Sequence, residues 1–102
     1  MLIQVNYSSV PHTEEIDAFV KERINKELAH LGDRLTRIEV HLHDDNGASK
    51  HAANDKRVTI EARPRGQRPL AVESCGDNLQ GAISEAAARL QRALRRSFDR
   101  AG

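Results

Sequence analysis

Arginine is the residue of this chain with the plainest chemical use. In RLQRALRRSFDR, residues 89–100, it fills five positions: Arg89, Arg92, Arg95, Arg96 and Arg100. A guanidinium is planar and permanently charged, and it can grip a phosphate with two parallel hydrogen bonds, as a lysine ammonium cannot. The segment contains no lysine, and the nearby carboxylates are few, Glu85 and Asp99. On a helical wheel with Leu79 at zero, Ile83, Ala86, Leu90 and Leu94 fall within about 60°. Arg89, Arg92, Arg96 and Arg100 fall between roughly 220° and 300°, so they line one flank over about 16 Å of helix. Arg95 lies apart from that row. The chemistry such a stripe supports is binding of a phosphate backbone. The competing reading is a solvated face near a helix C-terminus that favours cations.

A second basic group is Lys56, Arg57, Arg63, Arg65 and Arg68. By itself it has a competing reading as charge protecting an edge strand. If it adjoins the helix stripe, the two form one composite basic surface. The scarcity of aromatics, 3% with no Trp, argues against reading single-stranded bases by stacking on rings. It favours recognition of folded RNA by backbone and shape.

Other candidate chemistry is weaker. His41 and His43 are two apart on an extended segment and share a face, but spacing fixes no third ligand among Asp44, Asp45 and His51. Solvated strand-end histidines are the expectation, with no metal and no cofactor. Cys75 precedes the second helix, where a helix dipole lowers a thiol pKa, yet no motif supplies it with a base. No P-loop, nucleophile elbow or dinucleotide fingerprint occurs, so no enzyme is expected.

These side chains need elements to carry them. LIQVNY (2–7) alternates as a short strand. Thr13 is placed to cap a helix over 13–31, with Glu14 and Glu15 in its first turn and Gly32 as the terminating glycine. RLTRIEVHLH (34–43) alternates, with Ile38, Val40 and Leu42 inward and Arg37, Glu39, His41 and His43 outward. The polar run 44–55 joins it to a strand over 56–63, with Val58, Ile60 and Ala62 inward. PRGQRP (64–69) is a turn in which Gly66 supplies backbone freedom, and 70–74 is a shorter strand. Asp77 and Gln80 have the spacing of a capping box for a helix reaching about residue 99. The expected fold is α+β: a two-layer sandwich in the order β-α-β-β-β-α, a four-stranded mixed sheet with two helices on one face. The first two strands should be parallel and the remainder an antiparallel meander.

Composition agrees with one globular domain over residues 1–102: 38% hydrophobic, 30% charged, with an aliphatic core. One cysteine allows no internal disulfide. The N-terminus has no signal-peptide pattern and no stretch is long and apolar enough to span a membrane, so a cytoplasmic protein is expected. The net charge of +1 hides an asymmetry. Residues 1–50 hold six Lys/Arg against nine Asp/Glu, and residues 51–102 hold ten against six.

Four segments together carry a resemblance: TEEIDAFVKERINKEL (13–28), IEVHLHDDNG (38–47), DKRVTIEARPRG (55–66) and DNLQGAISEAAARLQRALRR (77–96). In their order and spacing, the chain resembles the short form of the ribosome hibernation promoting factor family. That family is also called ribosome-associated inhibitor A or sigma-54 modulation proteins. The resemblance implies a non-enzymatic factor that binds the small ribosomal subunit in stationary or stressed bacteria. It would occupy the decoding channel and deny it to mRNA and tRNA. Carried over, the rRNA contacts would come from Lys56, Arg57, Arg63, Arg65, Arg68, Arg89, Arg92 and Arg96. Arg100 extends the row, and Lys50 is a weaker candidate. The implied partners are the small subunit and its rRNA, with ribosomal proteins and a separate ribosome modulation factor as further candidates. A monomer off the ribosome is expected. Long members add a C-terminal domain that pairs ribosomes, and none is expected here. The alternative is a protein-interaction module acting on a sigma-54-type or other regulatory factor.

Overall fold

The computed structural model describes residues 1–45 and 55–101. The expectations for Lys50 and His51, and for most of the connection 44–55, lie outside the described residues. Alternation of Ile3 and Val5 with Gln4 and Asn6 produces strand β1, Leu2–Tyr7. Helix α1 covers Glu14–Leu28 and starts as the sequence requires: the Thr13 hydroxyl accepts from the Ile16 N–H at 3.1 Å. Strands β2 (Leu35–Asp44), β3 (Lys56–Pro64) and β4 (Leu70–Gly76) follow, then helix α2, Leu79–Ala101. Sheet order is β1-β2-β3-β4. β1 pairs with β2 in parallel across the α1 crossover, and the other two pairings are antiparallel.

Register follows from burial. Val40 lies opposite Ile60 and Ile38 opposite Ala62, and all four are fully buried. A slip by one residue would turn that whole set to solvent. Val20, Ile24 and Leu28 of α1 and Ile83, Ala86, Leu90 and Leu94 of α2 close over this face as one cluster. Both helices therefore cover one side of the sheet. The other side presents Arg37, Glu39, His41 and His43 beside Arg57, Thr59, Glu61 and Arg63, a polar face, as the alternation implies.

Two helix boundaries differ from expectation. The α-helix ends at Leu28, and a 3-10 segment continues through Ala29–Arg34, passing Gly32 without a left-handed residue. The reason lies in a distant residue. Arg65 donates from its backbone N–H to the Arg34 carbonyl at 2.9 Å and from Nε to the Asp33 carbonyl at 3.0 Å. Carbonyls at the end of the segment are thus satisfied by β3's exit, and no terminating glycine is needed. At α2 the cap is Asn78, not Asp77: Asn78 Oδ1 accepts from the Gly81 N–H at 2.7 Å. The helix therefore begins at Leu79, one residue later than the D-x-x-Q spacing implies. Gly66, at φ 72°, does occupy the left-handed conformation that its turn requires.

Candidate nucleic-acid interface

Helix α2 lies over β3 and β4, with its apolar stripe down. Its arginine flank consequently runs along the outer edge of β4. Arg89, Arg92 and Arg96 line one groove there, together with Val72, Glu73 and Ala93. Arg100 continues the row beyond it, into a depression shared with Arg68 and the rest of the 66–70 turn. The turn is tied to the helix by a hydrogen bond from the Ser97 hydroxyl to Gln67 Oε1 at 2.6 Å. Stripe and turn thus adjoin, as a composite surface demands.

The members differ in how far the protein already uses them. Arg92, Arg96, Arg100 and Arg68 are exposed and form no ion pair with any described residue. Arg89 is anchored: Nη1 donates to the Glu73 carbonyl at 2.7 Å, and Nη2 to Glu85 at 2.7 Å. That first bond occupies an acceptor on an edge strand that would otherwise be open to a foreign strand.

The second basic group splits up. Lys56 and Arg57 are adjacent in sequence, and the alternation of β3 sends them to opposite faces. Lys56 sits between Asp44 and Asp55, at 3.1 Å from each, and Asp55 is buried. Hydrogen bonds to Asp55 first, then Asp44, hold its ammonium pKa above the usual lysine value. Arg57 is gripped by Asp45 through Nε at 3.1 Å and Nη2 at 3.2 Å, which raises its pKa further. Glu73 lies 3.9 Å from the same guanidinium. Arg63 stays exposed on the open sheet face, with Glu61 at 4.0 Å. Arg65 is exposed too, but its Nε is committed to the Asp33 carbonyl.

Two further arginines were missed as candidates. Arg34 stacks over the Phe98 ring, 3.6 Å from its centroid, which puts it beside the last turns of α2. Arg37 lies opposite Arg63 in the β2–β3 register and contacts Gln4 and Glu39. Both belong to the acidic half of the sequence, so counting charge by halves hid them. Alternation did place Arg37 outward, whereas nothing local signals the Arg34–Phe98 contact.

The weaker chemistry gains no constellation. His41 Nδ1 lies 3.5 Å from Asn6 Nδ2, and His43 faces Arg57 across the ladder. Among the described residues, no three His, Cys, Asp or Glu side chains are grouped to hold a metal. Cys75 lies within β4, exposed and opposite Arg57, and not at the helix start.

The family whose sequence pattern matches is described as sigma 54 modulation protein / S30EA ribosomal protein, over residues 3–101. The chain belongs to that family. The resemblance carried by the four sequence segments is thereby borne out. A comparison of this S30EA-family chain with curated proteins gives no match. Solved structures that share its fold include these two. One is a ribosomal subunit interface protein from Coxiella burnetii, 13% identical, with TM-score 0.79, covering 97% of this chain and 99% of that one. The other is the N-terminal domain of Thermus thermophilus Protein Y, 20% identical, with TM-score 0.72, covering 94% and 98%. Among the described residues of this S30EA-family chain, no helix is long and apolar enough to cross a membrane.

Proposed function

We propose that this protein is a non-enzymatic, ribosome-associated inhibitor of translation that binds small-subunit rRNA through the α2–turn seam. It would lie in the decoding channel and exclude mRNA and tRNA under stress or in stationary phase. One observation carries the reading. Arg92, Arg96, Arg100 and Arg68 follow one seam with no carboxylate paired to them among the described residues. Exposed, unneutralised guanidinium groups in a row are costly in self-repulsion, and a phosphate backbone relieves that cost. Family membership and the naming of a fold relative as a ribosomal subunit interface protein support the same partner. Arg89 and Arg34 flank the seam and would add contacts, while Arg63 lies on the open sheet face. Lys56 and Arg57 would first have to leave their carboxylates.

Sedimentation with purified small subunits tests this directly. With about six to eight phosphates engaged, log K falls against log salt with a slope of about −4 to −7. The triple variant Arg89→Glu, Arg92→Glu, Arg96→Glu is expected to remain folded and to lose association. Wild-type sedimentation by that variant, or affinity that ignores salt, would sink the reading.

A further inference from the structure

The depression between the 66–70 turn and the last turns of α2 has a composition that phosphate contact alone does not explain. It is an open hollow of about 720 Å³, the size of pocket that takes a small organic group. Pro69 and Leu70 give it an apolar lining, and Arg68 and Arg100 bring charge from two different elements. The Ser97–Gln67 bond closes one side and uses Gln67 Oε1. The Gln67 amide nitrogen is left with no partner among the described residues, so a donor remains available. Gly66 in the left-handed region lets the turn fold back beside the helix.

Resting on the rRNA reading above, we propose that this hollow seats one unpaired nucleotide of the bound RNA. Its phosphate lies between Arg68 and Arg100, and its sugar and base rest against Pro69 and Leu70. A guanidinium plane serves as stacking partner where no aromatic ring is present. The Gln67 amide donates to a carbonyl on the base edge. The same strand then runs over Arg96 and Arg92, each one helical turn further along α2, in the neighbouring groove. A regular duplex keeps its bases stacked inside and offers a concave, part-apolar hollow nothing to hold. The protein should therefore favour RNA with an extruded base, which the scarcity of aromatic residues would not suggest.

Two measurements test this. The first uses the wild-type chain and two RNA hairpins, one fully paired and one carrying a single bulged 2-aminopurine. The bulged hairpin should bind about tenfold more tightly, as one seated base would provide, and its fluorescence should change on binding. Equal affinity with unchanged fluorescence overturns the seat while leaving phosphate binding intact. Binding of neither hairpin at low salt removes the phosphate reading on which it rests, and free 2-aminopurine riboside monophosphate competing as well as the bulge would reassign the hollow to a soluble nucleotide. The second measurement uses small subunits and Ser97→Trp, which fills the hollow without altering charge, beside Ser97→Ala, which leaves it empty. Both variants lose the Gln67 bond and should lose thermal stability alike, whereas Ser97→Trp should bind more weakly than Ser97→Ala. Equal affinity of a folded Ser97→Trp overturns the seat.

Discussion

Arg89 is already engaged within the protein, by the Glu73 carbonyl on one side and Glu85 on the other. Arg92, one turn further on, has no such partners among the described residues. The two therefore contribute differently to folding and to binding, although the wheel puts them on the same flank. Replacing Arg89 by Ala should lower stability by about 0.5–1.5 kcal/mol, the net worth of a hydrogen bond that caps an edge carbonyl. Arg92→Ala should stay within about 0.5 kcal/mol of wild type, as surface changes without partners do. Urea unfolding of the two variants checks this, and equal midpoints would show that the Glu73 contact carries no weight. Both variants should weaken binding to the small subunit. Arg65 resembles Arg89, since its guanidinium holds the end of the 3-10 segment. Types and spacing made both arginines legible as cations. Glu85 is four residues from Arg89 and within reach of helical spacing, but the backbone carbonyls that anchor the two arginines lie 16 and 32 residues away in sequence, beyond what spacing can reveal.

At the scale of elements, α2 carries the row of the proposed interface, and its start is set by one residue. Asn78 satisfies an N–H of the first turn that has no partner within the helix. Asn78→Ala should cost about 1 kcal/mol, while Asp77→Ala should cost less than about 0.5 kcal/mol. Thermal melts of the pair discriminate between the two caps, and the reverse ranking would restore the D-x-x-Q box. Both Asp77 and Asn78 are capping residue types, so local sequence left two registers open. What decides between them is where β4 ends. It runs to Gly76, and the packing of Leu79, Ala82 and Ile83 against the core fixes the helix phase. The end of α1 shows the same dependence. Gly32 has the right type and place for a terminating residue, but Arg65 supplies the donors and the chain passes through the glycine in a tighter helix.

Over the whole molecule, charge is sorted by position along the β2–β3 ladder and not by half of the sequence. At one end, Arg37, Arg63 and Arg65 lie near Arg34, Arg68 and the end of α2. At the other end, Asp44, Asp45 and Asp55 surround Lys56 and Arg57. A molecule polarised in this way approaches a polyanion basic end first. The acidic end has a pH consequence. Arg57, hydrogen-bonded to Asp45, holds that carboxyl below its usual range. Lys21 does the same for Asp17, with Tyr7 contributing. A carboxyl with a folded value below its unfolded one stabilises the fold at higher pH, and that stabilisation disappears as pH falls through the folded value. Stability should thus decline below about pH 4. The double variant Asp17→Asn, Asp45→Asn should be less stable at pH 7 and lose less on acidification. Parallel pH profiles for variant and wild type would show that these pairs contribute nothing.

Element order, the inward residues of β2 and β3, the Thr13 cap, the Gly66 turn and the arginine flank of α2 were all determined by the sequence. Each depends on residue type and on a period of two or 3.6, and both are local. Only the tertiary structure decided which cations stand unpaired. It separated Lys56 from Arg57, tied Arg57 to Asp45, anchored Arg89 at β4, stacked Arg34 on Phe98 and brought Arg68 beside Arg100. An ion pair or a shared hollow depends on distances between elements. Those distances follow from how the helices settle on the sheet, which no repeat along the chain encodes.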